Sequence, residues 1–250
     1  MTTYDAYVIC TAPRSGSTML CSLLAATGVA GKPASYFHEP SVAEWLEDLG
    51  LSADPAAEAR AQVATAFEAA LRAGRGGGAM FGLRLQGHSL GFFRSQLAVL
   101  HPEAATDVAR LRRAFGVIRF IYLRRADKLD QAVSYLKAEQ TGLWHVAPDG
   151  SELERLAPHR EPAYDREKIA GTVATMEGYD RAWEDWFANE GIAPLRIAYD
   201  ELSADPSDVL RRVLADLGLD PAAAEGVSPG VRKLSDGTNR DWAERYRAGR

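Results

Sequence analysis

The stretch that decides the fold is Tyr7-Val8-Ile9-Cys10-Thr11-Ala12-Pro13-Arg14-Ser15-Gly16-Ser17-Thr18-Met19-Leu20. It begins with an apolar segment typical of a buried strand, passes through a tight loop rich in serine, and continues into a helix with apolar residues at helical spacing. Backbone N–H groups at a helix start, together with the helix dipole, favour a bound anion. The stretch therefore predicts an anion site at the start of the first helix.

The loop departs from the G-x-x-x-x-G-K-[ST] pattern of nucleoside-triphosphate-binding loops. Gly16 and Thr18 match that pattern, but Thr11 stands in place of the first glycine and Ser17 replaces the lysine. The cation of this loop is Arg14. An arginine fork with hydroxyl groups suits a 5′-phosphate or a diester-like anion better than a triphosphate bound to Mg²⁺. An ordinary strand-to-helix turn with a capping serine is the structural alternative.

Composition indicates an ordinary globular chain. The 250 residues, with 46% hydrophobic and 25% charged side chains, predict a single domain over residues 1–250. The net charge of −5 argues against a non-specific nucleic-acid binder. We find no signal-peptide pattern and no run near the roughly 20 apolar residues of a membrane span, so we expect a cytoplasmic protein. Cys10 and Cys21 are expected to be buried hydrophobes, and we predict no metal site.

Strands and helices are predicted to alternate along the chain. Further strands are expected at 79–85, 117–123 and 194–199, with helices at 54–74, 90–100, 102–115, 165–189 and 206–217 and a short helix after Ser41. This alternation predicts an α/β fold with three layers and a mostly parallel central sheet, similar to P-loop proteins.

The strand at 117–123 leads into a second group of cations, Arg124 and Arg125. Ligands of open α/β sheets bind at the carboxyl ends of the strands. A triphosphatase usually holds an aspartate there to help bind Mg²⁺, whereas this chain has two arginines. We therefore predict a second anion site, with solvated arginines at a strand exit as the alternative.

Two loops are predicted near the site. Residues 29–40 are punctuated by glycine and proline and carry aromatic and ionisable residues close behind the first helix. Residues 139–162 are polar and broken by proline and glycine, and they indicate a mobile or lid-like segment. Within that segment, a lone Trp144 or His145 is more often a packing residue than a chemical group.

Three motifs together resemble those of sulfotransferases that use 3′-phosphoadenylyl sulfate (PAPS). They are T-A-P-R-S-G-S-T after the first strand, L-R-R-A-D-K-L-D-Q-A-V-S-Y after the central strand, and the late R-K-L-S-D-G-T-N-R-D-W loop. The resemblance is closest to the bacterial trehalose 2-sulfotransferase family, whose G-V-A-G-x-P, Q-A-V-S and Q-T-x-x-W segments recur at 28–33, 131–134 and 140–144. It covers most of the chain, and it implies a PAPS-dependent sulfotransferase that needs no metal and forms a homodimer.

The resemblance also implies roles for individual residues. The 5′-phosphosulfate would be held by Arg14, Ser15, Gly16, Ser17 and Thr18, and the 3′-phosphate by Arg125 and Ser134, with Arg232 or Lys233 closing over it. For the acceptor we expect contacts from Ser35, Phe37, Arg84, Gln140 and Trp144.

The general base is where this chain departs from the family that it resembles. Ser35 stands where trehalose sulfotransferases place a glutamate, and a serine is not a base near neutral pH, which argues against trehalose as the acceptor. We expect the base to be His38 or Glu39. Imidazole titrates closer to neutral pH, which favours His38, whereas an extended loop would put Ser35, Phe37 and Glu39 on one face. A surface His–Glu pair before Pro40 is the structural alternative.

The leading functional hypothesis is sulfuryl transfer from PAPS to a hydroxyl of a small carbohydrate or lipid-like molecule by in-line displacement. One alternative is a small-molecule kinase on the same loop, against which Ser17 and Arg125 argue. The other is a nucleotide-binding protein of the same fold without transfer activity, which Ser35 at the family's base position keeps open.

Overall fold

The computed structural model describes residues 3–249 and has a parallel sheet at its centre. The strands are β1 (Ala6–Thr11), β2 (Phe81–Gln86), β3 (Ile118–Arg124), β4 (Leu143–Val146), β5 (Glu152–Arg155) and β6 (Leu195–Ala198). Four of them form the central sheet in the order β2-β1-β3-β6, and every neighbouring pair is parallel. The predicted α/β fold with a parallel central sheet is confirmed.

Helices cover both faces of this sheet. They are α1 (Ser17–Ala26), α2 (Val42–Asp48), α3 (Ala59–Arg75), α4 (Leu90–Leu100), α5 (Asp107–Phe115), α6 (Lys128–Thr141), α7 (Arg166–Glu190), α8 (Tyr199–Ala204), α9 (Pro206–Asp216) and α10 (Gly237–Arg247), with a short 3-10 helix at Pro221–Ala224. None of the helices within residues 3–249 is long and apolar enough to cross a membrane.

The side chains of β1 alternate between two cores. Val8 and Cys10 pack with aromatic residues of α3, α4 and α7, whereas Tyr7 and Ile9 pack with leucines of α1 and α9. A strand buried on both faces lies at the centre of a three-layer fold, because successive side chains point to opposite faces of the sheet. The loop that follows β1 is therefore anchored by the most buried strand of the molecule.

Two predicted helices begin later than expected. The first was expected at 54–74 but begins at Ala59, because the Asp54 carboxylate accepts a hydrogen bond from the Ala56 N–H in a local turn. The second was expected at 102–115 but begins at Asp107, where the Thr106 hydroxyl accepts from the Ala109 N–H.

The segment at 139–162, predicted to be mobile or lid-like, contains an antiparallel hairpin that the sequence analysis did not predict. Strands β4 and β5 pair across a turn in which the Ala147 N–H donates to the Ser151 carbonyl at 2.8 Å. The turn contains Asp149-Gly150, a dipeptide that favours hairpins, and Gly150 has a φ of 92°. The hairpin lies against the loop after β1 through the contacts described below.

Candidate active site

A cavity of about 840 Å³ lies at the carboxyl ends of the parallel strands. Its lining includes residues that follow each strand of the central sheet: Arg14, His88, Arg125 and Tyr199. Most of the residues predicted from sequence also line it: Arg14, Gly16, Ser17, Thr18, His38, Glu39, Arg84, Arg125, Ser134, Trp144, Arg232 and Lys233. The structure thus brings the two predicted anion sites into one cavity.

The loop after β1 turns sharply at two residues with positive φ. Gly16 has a φ of 84°, and a side chain there would come within 2.8 Å of Cδ2 of Tyr199. Arg14 has a φ of 62°, which is uncommon for a residue with a side chain. The loop therefore needs glycine at Gly16, and it holds Arg14 in a strained conformation of the kind found at binding sites.

The Arg14 guanidinium group has hydrogen-bond partners but no carboxylate beside it. Its Nε donates to Ser134 Oγ at 3.1 Å, and one terminal nitrogen donates to the Trp144 carbonyl at 2.7 Å. Within residues 3–249, no carboxylate oxygen lies within 4 Å of it. Burial, reinforced by the charge of Arg125, lowers the pKa of Arg14 to about 10. An anion bound beside Arg14 would relieve this unfavourable setting.

Ser15 is held inside the loop, away from the cavity. Ser15 is 1% exposed, and its Oγ accepts a hydrogen bond from Gln131 Nε2 at 3.1 Å. The same Nε2 donates to the Pro13 carbonyl at 2.7 Å, while Lys128 donates to Gln131 Oε1 at 3.0 Å. The side chain of Ser15 does not line the cavity, so the structure gives it a part in shaping the loop.

The second arginine, Arg125, lies beside the backbone of Arg14. Arg125 is 8% exposed, its guanidinium carbon is 4.6 Å from the centre of the Tyr199 ring, and one nitrogen is 3.5 Å from the Arg14 carbonyl oxygen. Its nearest carboxylate is Asp130, at 3.6 Å. The ammonium group of Lys233 lies 6.0 Å from the same ring centre. Three cations therefore converge on one wall of the cavity.

Arg232 belongs to the C-terminal loop, which also lines the cavity. Its backbone N–H donates to the Val146 carbonyl at 3.1 Å, so this loop is joined to the end of β4. Its side chain lies near the Asp149 carboxylate, whose pKa is lowered mainly by hydrogen bonds from Ser151 and also by Arg232. The hairpin thus contacts both the C-terminal loop and, through Trp144, the loop after β1.

Arg84 connects the predicted donor and acceptor residues. Its Nε donates to Ser35 Oγ and a terminal nitrogen donates to Thr18 Oγ1, both at 2.8 Å. The segment carrying Ser35 runs beside β2, where the Arg84 N–H donates to the Ala34 carbonyl at 3.0 Å. Ser35 itself does not line the cavity and reaches it only through Arg84.

His38 and Glu39 lie at the cavity in a turn fixed by neighbouring groups. Ser89 Oγ donates to the His38 carbonyl and Trp45 Nε1 donates to the Glu39 carbonyl, each at 2.6 Å. The Nε2 of His38 is 3.6 Å from Glu39 Oε1, and its Nδ1 is 3.3 Å from Nε2 of His88. Burial, with a smaller effect of His38, lowers the pKa of His88 to about 4. The site therefore has two adjacent histidines where the sequence indicated one.

Two further residues expected to contact the acceptor, Phe37 and Gln140, also do not line the cavity. Phe37 is 1% exposed and packs in the core, with its ring centre 4.6 Å from that of Phe67 and 5.1 Å from that of Phe93. Gln140 hydrogen bonds with the backbone of Ala163, accepting from its N–H at 2.7 Å and donating to its carbonyl at 3.2 Å. Phe37 is buried in the core and Gln140 is hydrogen-bonded to a loop, so neither side chain reaches a ligand in this cavity.

Sequence reasoning did not single out Tyr199, His88 or Gln131. Tyr199 follows β6 and His88 follows β2, so a signal was present: residues after parallel strands converge on the ligand crevice. The sequence did not indicate the role of Gln131 beyond its place in the Q-A-V-S motif. Its contact with Ser15 joins residues 116 positions apart, which no local pattern predicts.

A parallel sheet whose first strand leads through a tight loop into a helix places the chain among α/β proteins with a P-loop-like fold. In this chain Ser17 replaces the lysine of triphosphate-binding loops, and Arg14 and Arg125 follow neighbouring strands. The model of the Stf0 sulphotransferase family matches residues 6–249, and the chain belongs to this family. It is 29% identical to a trehalose 2-sulfotransferase of Mycobacterium tuberculosis strain Erdman and 28% identical to one of Mycolicibacterium smegmatis; each match covers 97% of this chain and 94% of the relative. The resemblance seen in the sequence is confirmed.

Proposed function

We propose that the protein transfers a sulfuryl group from PAPS to a hydroxyl of a small carbohydrate or lipid-like molecule. The observation that carries the proposal is the pair of arginines, Arg14 and Arg125, in one cavity. Arg14 has no carboxylate within 4 Å among residues 3–249, and burial lowers its pKa to about 10, while the nearest carboxylate oxygen to Arg125 is 3.6 Å away. Two poorly compensated cations in one cavity favour a ligand with two anionic groups.

The cationic and hydroxyl side chains of the cavity fit the two anionic groups of PAPS in number and kind. The 5′-phosphosulfate would be held by the loop after β1, which consists of Arg14, Ser15, Gly16, Ser17 and Thr18. Arg14 and Thr18 would contribute their side chains. The 3′-phosphate would be held by Arg125 and Ser134, with Arg232 and Lys233 closing over it. Ser17 stands where a kinase would need its lysine, so the set does not fit a Mg²⁺-bound triphosphate.

The proposed reaction is an in-line displacement at sulfur. The acceptor oxygen forms a bond to sulfur while the bond from sulfur to the bridging phosphate oxygen breaks. Adenosine 3′,5′-bisphosphate leaves with the electron pair, and the acceptor's proton passes to the histidine pair His38 and His88 beside Glu39. Arg14 and the backbone N–H groups of the loop meet the charge that grows on the leaving phosphate.

Acceptor binding is proposed for the aromatic part of the cavity, whose Trp144 ring lies beside Arg14. This part is lined by Tyr135, Trp144, Met176 and Tyr179, and the ring centres of Tyr135 and Trp144 are 5.5 Å apart. Aromatic faces bind the apolar face of a sugar or an aliphatic chain. A sugar acceptor also agrees with the printed name of the two relatives, trehalose 2-sulfotransferase.

The test is transfer from radiolabelled PAPS to four hydroxyl compounds offered separately: trehalose, glucose, octyl glucoside and 2-naphthol. Mass spectrometry should find one added sulfo group on at least one sugar, without added metal. The Arg14→Ala variant should lose this transfer, and Arg211→Ala, an arginine on α9 with its own partner Asp208, should retain it.

Binding of adenosine 3′,5′-bisphosphate without transfer to any compound would favour the non-catalytic binding protein. Turnover of ATP with Mg²⁺, and none with PAPS, would favour the kinase. The homodimer remains a prediction from the resemblance, and sedimentation of the purified chain measures it directly.

A further inference from the structure

The β4–β5 hairpin brings one more histidine to the anion-binding loop. Nε2 of His145 is 3.1 Å from Thr18 Oγ1 and 3.4 Å from Glu154 Oε2. A ring nitrogen that faces two oxygen atoms is best satisfied when it carries the hydrogen. Arg84 donates to the same Thr18 oxygen at 2.8 Å. The Thr18 oxygen then accepts two hydrogen bonds, which leaves its own hydroxyl hydrogen to be donated to a ligand.

Two arginines, Arg14 and Arg84, act electrostatically on the His145 ring. Burial and, after it, the charges of Arg14 and Arg84 lower the pKa of His145 to about 4. Among residues 3–249, Glu154 provides the carboxylate nearest to the ring, and Thr18 is uncharged. The imidazole is therefore neutral near pH 7. An anion bound at the loop would offset the charge of the arginines and raise the pKa of His145.

We propose, building on the proposed function, that His145 is a donor-binding residue that directs the Thr18 hydroxyl towards the phosphosulfate group and takes up a proton when that group binds. Towards Thr18 it is a positioning residue. Once protonated, it adds a cation beside the anion, at a place where the loop itself has only Arg14. Binding of the nucleotide and binding of the proton then strengthen each other by the same factor.

The sign of the pH dependence follows from the two protonation equilibria. The pKa of His145 is about 4 without the nucleotide, and in the complex it is higher. At a pH between these two pKa values, binding of the nucleotide is therefore accompanied by uptake of a proton. The contribution of His145 to affinity increases as the pH falls through the pKa of the complex. If binding restores the ordinary imidazole value, this contribution grows roughly 20-fold between about pH 7 and about pH 5.

The probe is adenosine 3′,5′-bisphosphate, whose binding needs no acceptor. Calorimetry at about pH 5.5, in buffers of different ionisation enthalpy, gives the number of protons taken up per nucleotide bound. The informative variant is His145→Gln, because its amide can donate from the Nε2 position but does not titrate. It should fold as the wild type does, take up fewer protons, and show an affinity deficit that grows roughly 20-fold as the pH is lowered from about 7 to about 5.

The matched control is His101→Gln at the end of α4, which should show the proton uptake of the wild type. A second measurement uses the wild type alone: the titration of the His145 ring, followed by NMR with and without the nucleotide, should move to higher pH on binding. Equal proton uptake by His145→Gln and the wild type, or an unmoved titration, overturns this inference and leaves the proposed function standing. A wild type that binds no adenosine 3′,5′-bisphosphate overturns both.

Discussion

Nδ1 of His38 lies 3.3 Å from Nε2 of His88, and the two rings are nearly perpendicular, at 88°. The Glu39 carboxylate, 3.6 Å from Nε2 of His38, favours the hydrogen on that nitrogen. Nδ1 of His38 then carries the lone pair and accepts from His88. A pKa of about 4 keeps His88 neutral near pH 7, so it can supply that hydrogen. The two rings therefore form one hydrogen-bonded unit with Glu39 at its end, and this unit is the proton acceptor that we propose.

We predict that His38→Asn and His88→Asn each lower kcat by roughly 10²-fold or more, because either change removes a member of the unit. Glu39→Gln should have a smaller effect, since Glu39 is exposed and acts through His38. The measurement is turnover with the acceptor found in the transfer assay. Affinity for adenosine 3′,5′-bisphosphate should stay unchanged in all three variants, and normal turnover by both histidine variants would place the base elsewhere.

Arg14→Ala should reduce kcat much more than it weakens nucleotide binding. In the proposed reaction the Arg14 fork meets the leaving phosphate, where charge grows only in the transition state, and losing one such donor typically lowers kcat by about 10²–10³-fold. Single-turnover kinetics with PAPS, beside binding of adenosine 3′,5′-bisphosphate, separates the two effects. An unchanged kcat would remove Arg14 from the chemistry. Arg211→Ala is the control for loss of a positive charge outside the cavity.

Arg125→Ala should show the opposite pattern. A 3′-phosphate is remote from the reacting sulfur, so its partner contributes mainly to binding, and a lost charged hydrogen bond costs about 1.5–3 kcal/mol. The comparison is between adenosine 3′,5′-bisphosphate and AMP, which lacks the 3′-phosphate. Wild type should prefer the bisphosphate by roughly 10-fold or more, and the variant should lose most of that preference. An unchanged preference would contradict the assignment of Arg125.

The central part of the fold could be predicted because its signals are local. Apolar residues from Tyr7 to Cys10 followed by a serine-rich loop indicate a strand, an anion site and a helix without reference to the rest of the chain, and α1 and α4 begin where the pattern predicts. The hairpin was less visible. Its strands have four residues each and pair irregularly, so the polar sequence around Asp149-Gly150 resembled a loop.

The details of the site could be predicted only in part, because they depend on contacts between distant residues. The loop at 29–40 indicated His38 and Glu39, but the partner of His38 is His88, 50 residues further along the chain. Phe37 illustrates the reverse: an aromatic residue beside two ionisable ones looked like a ligand contact, yet the aromatic cluster of α3 and α4 buries it. Whether such a residue lines the cavity or lies in the core is decided by how the helices pack against β2.

The last prediction concerns the shape of the loop itself. Gly16→Ala should destabilise the protein, because an L-residue at a φ of 84° costs about 1–2 kcal/mol and the added methyl group would lie 2.8 Å from the Tyr199 ring. The matched control is Gly191→Ala at the end of α7, where φ is 63° and no atom lies within 4 Å of an added side chain. It should lose only the backbone contribution. Urea unfolding of both variants measures the difference.

Nucleotide binding should separate the two glycine variants more strongly than stability does. A ring displaced by Gly16→Ala would move the surface on which Arg125 rests, 4.6 Å from the Tyr199 ring centre, so affinity for adenosine 3′,5′-bisphosphate should fall roughly 10-fold or more. Gly191→Ala should bind as the wild type does. Adding Tyr199→Ala to Gly16→Ala should recover the steric part of the lost stability in a double-mutant cycle. Strictly additive effects would mean that the ring yields freely and that the cost at Gly16 is one of backbone conformation alone.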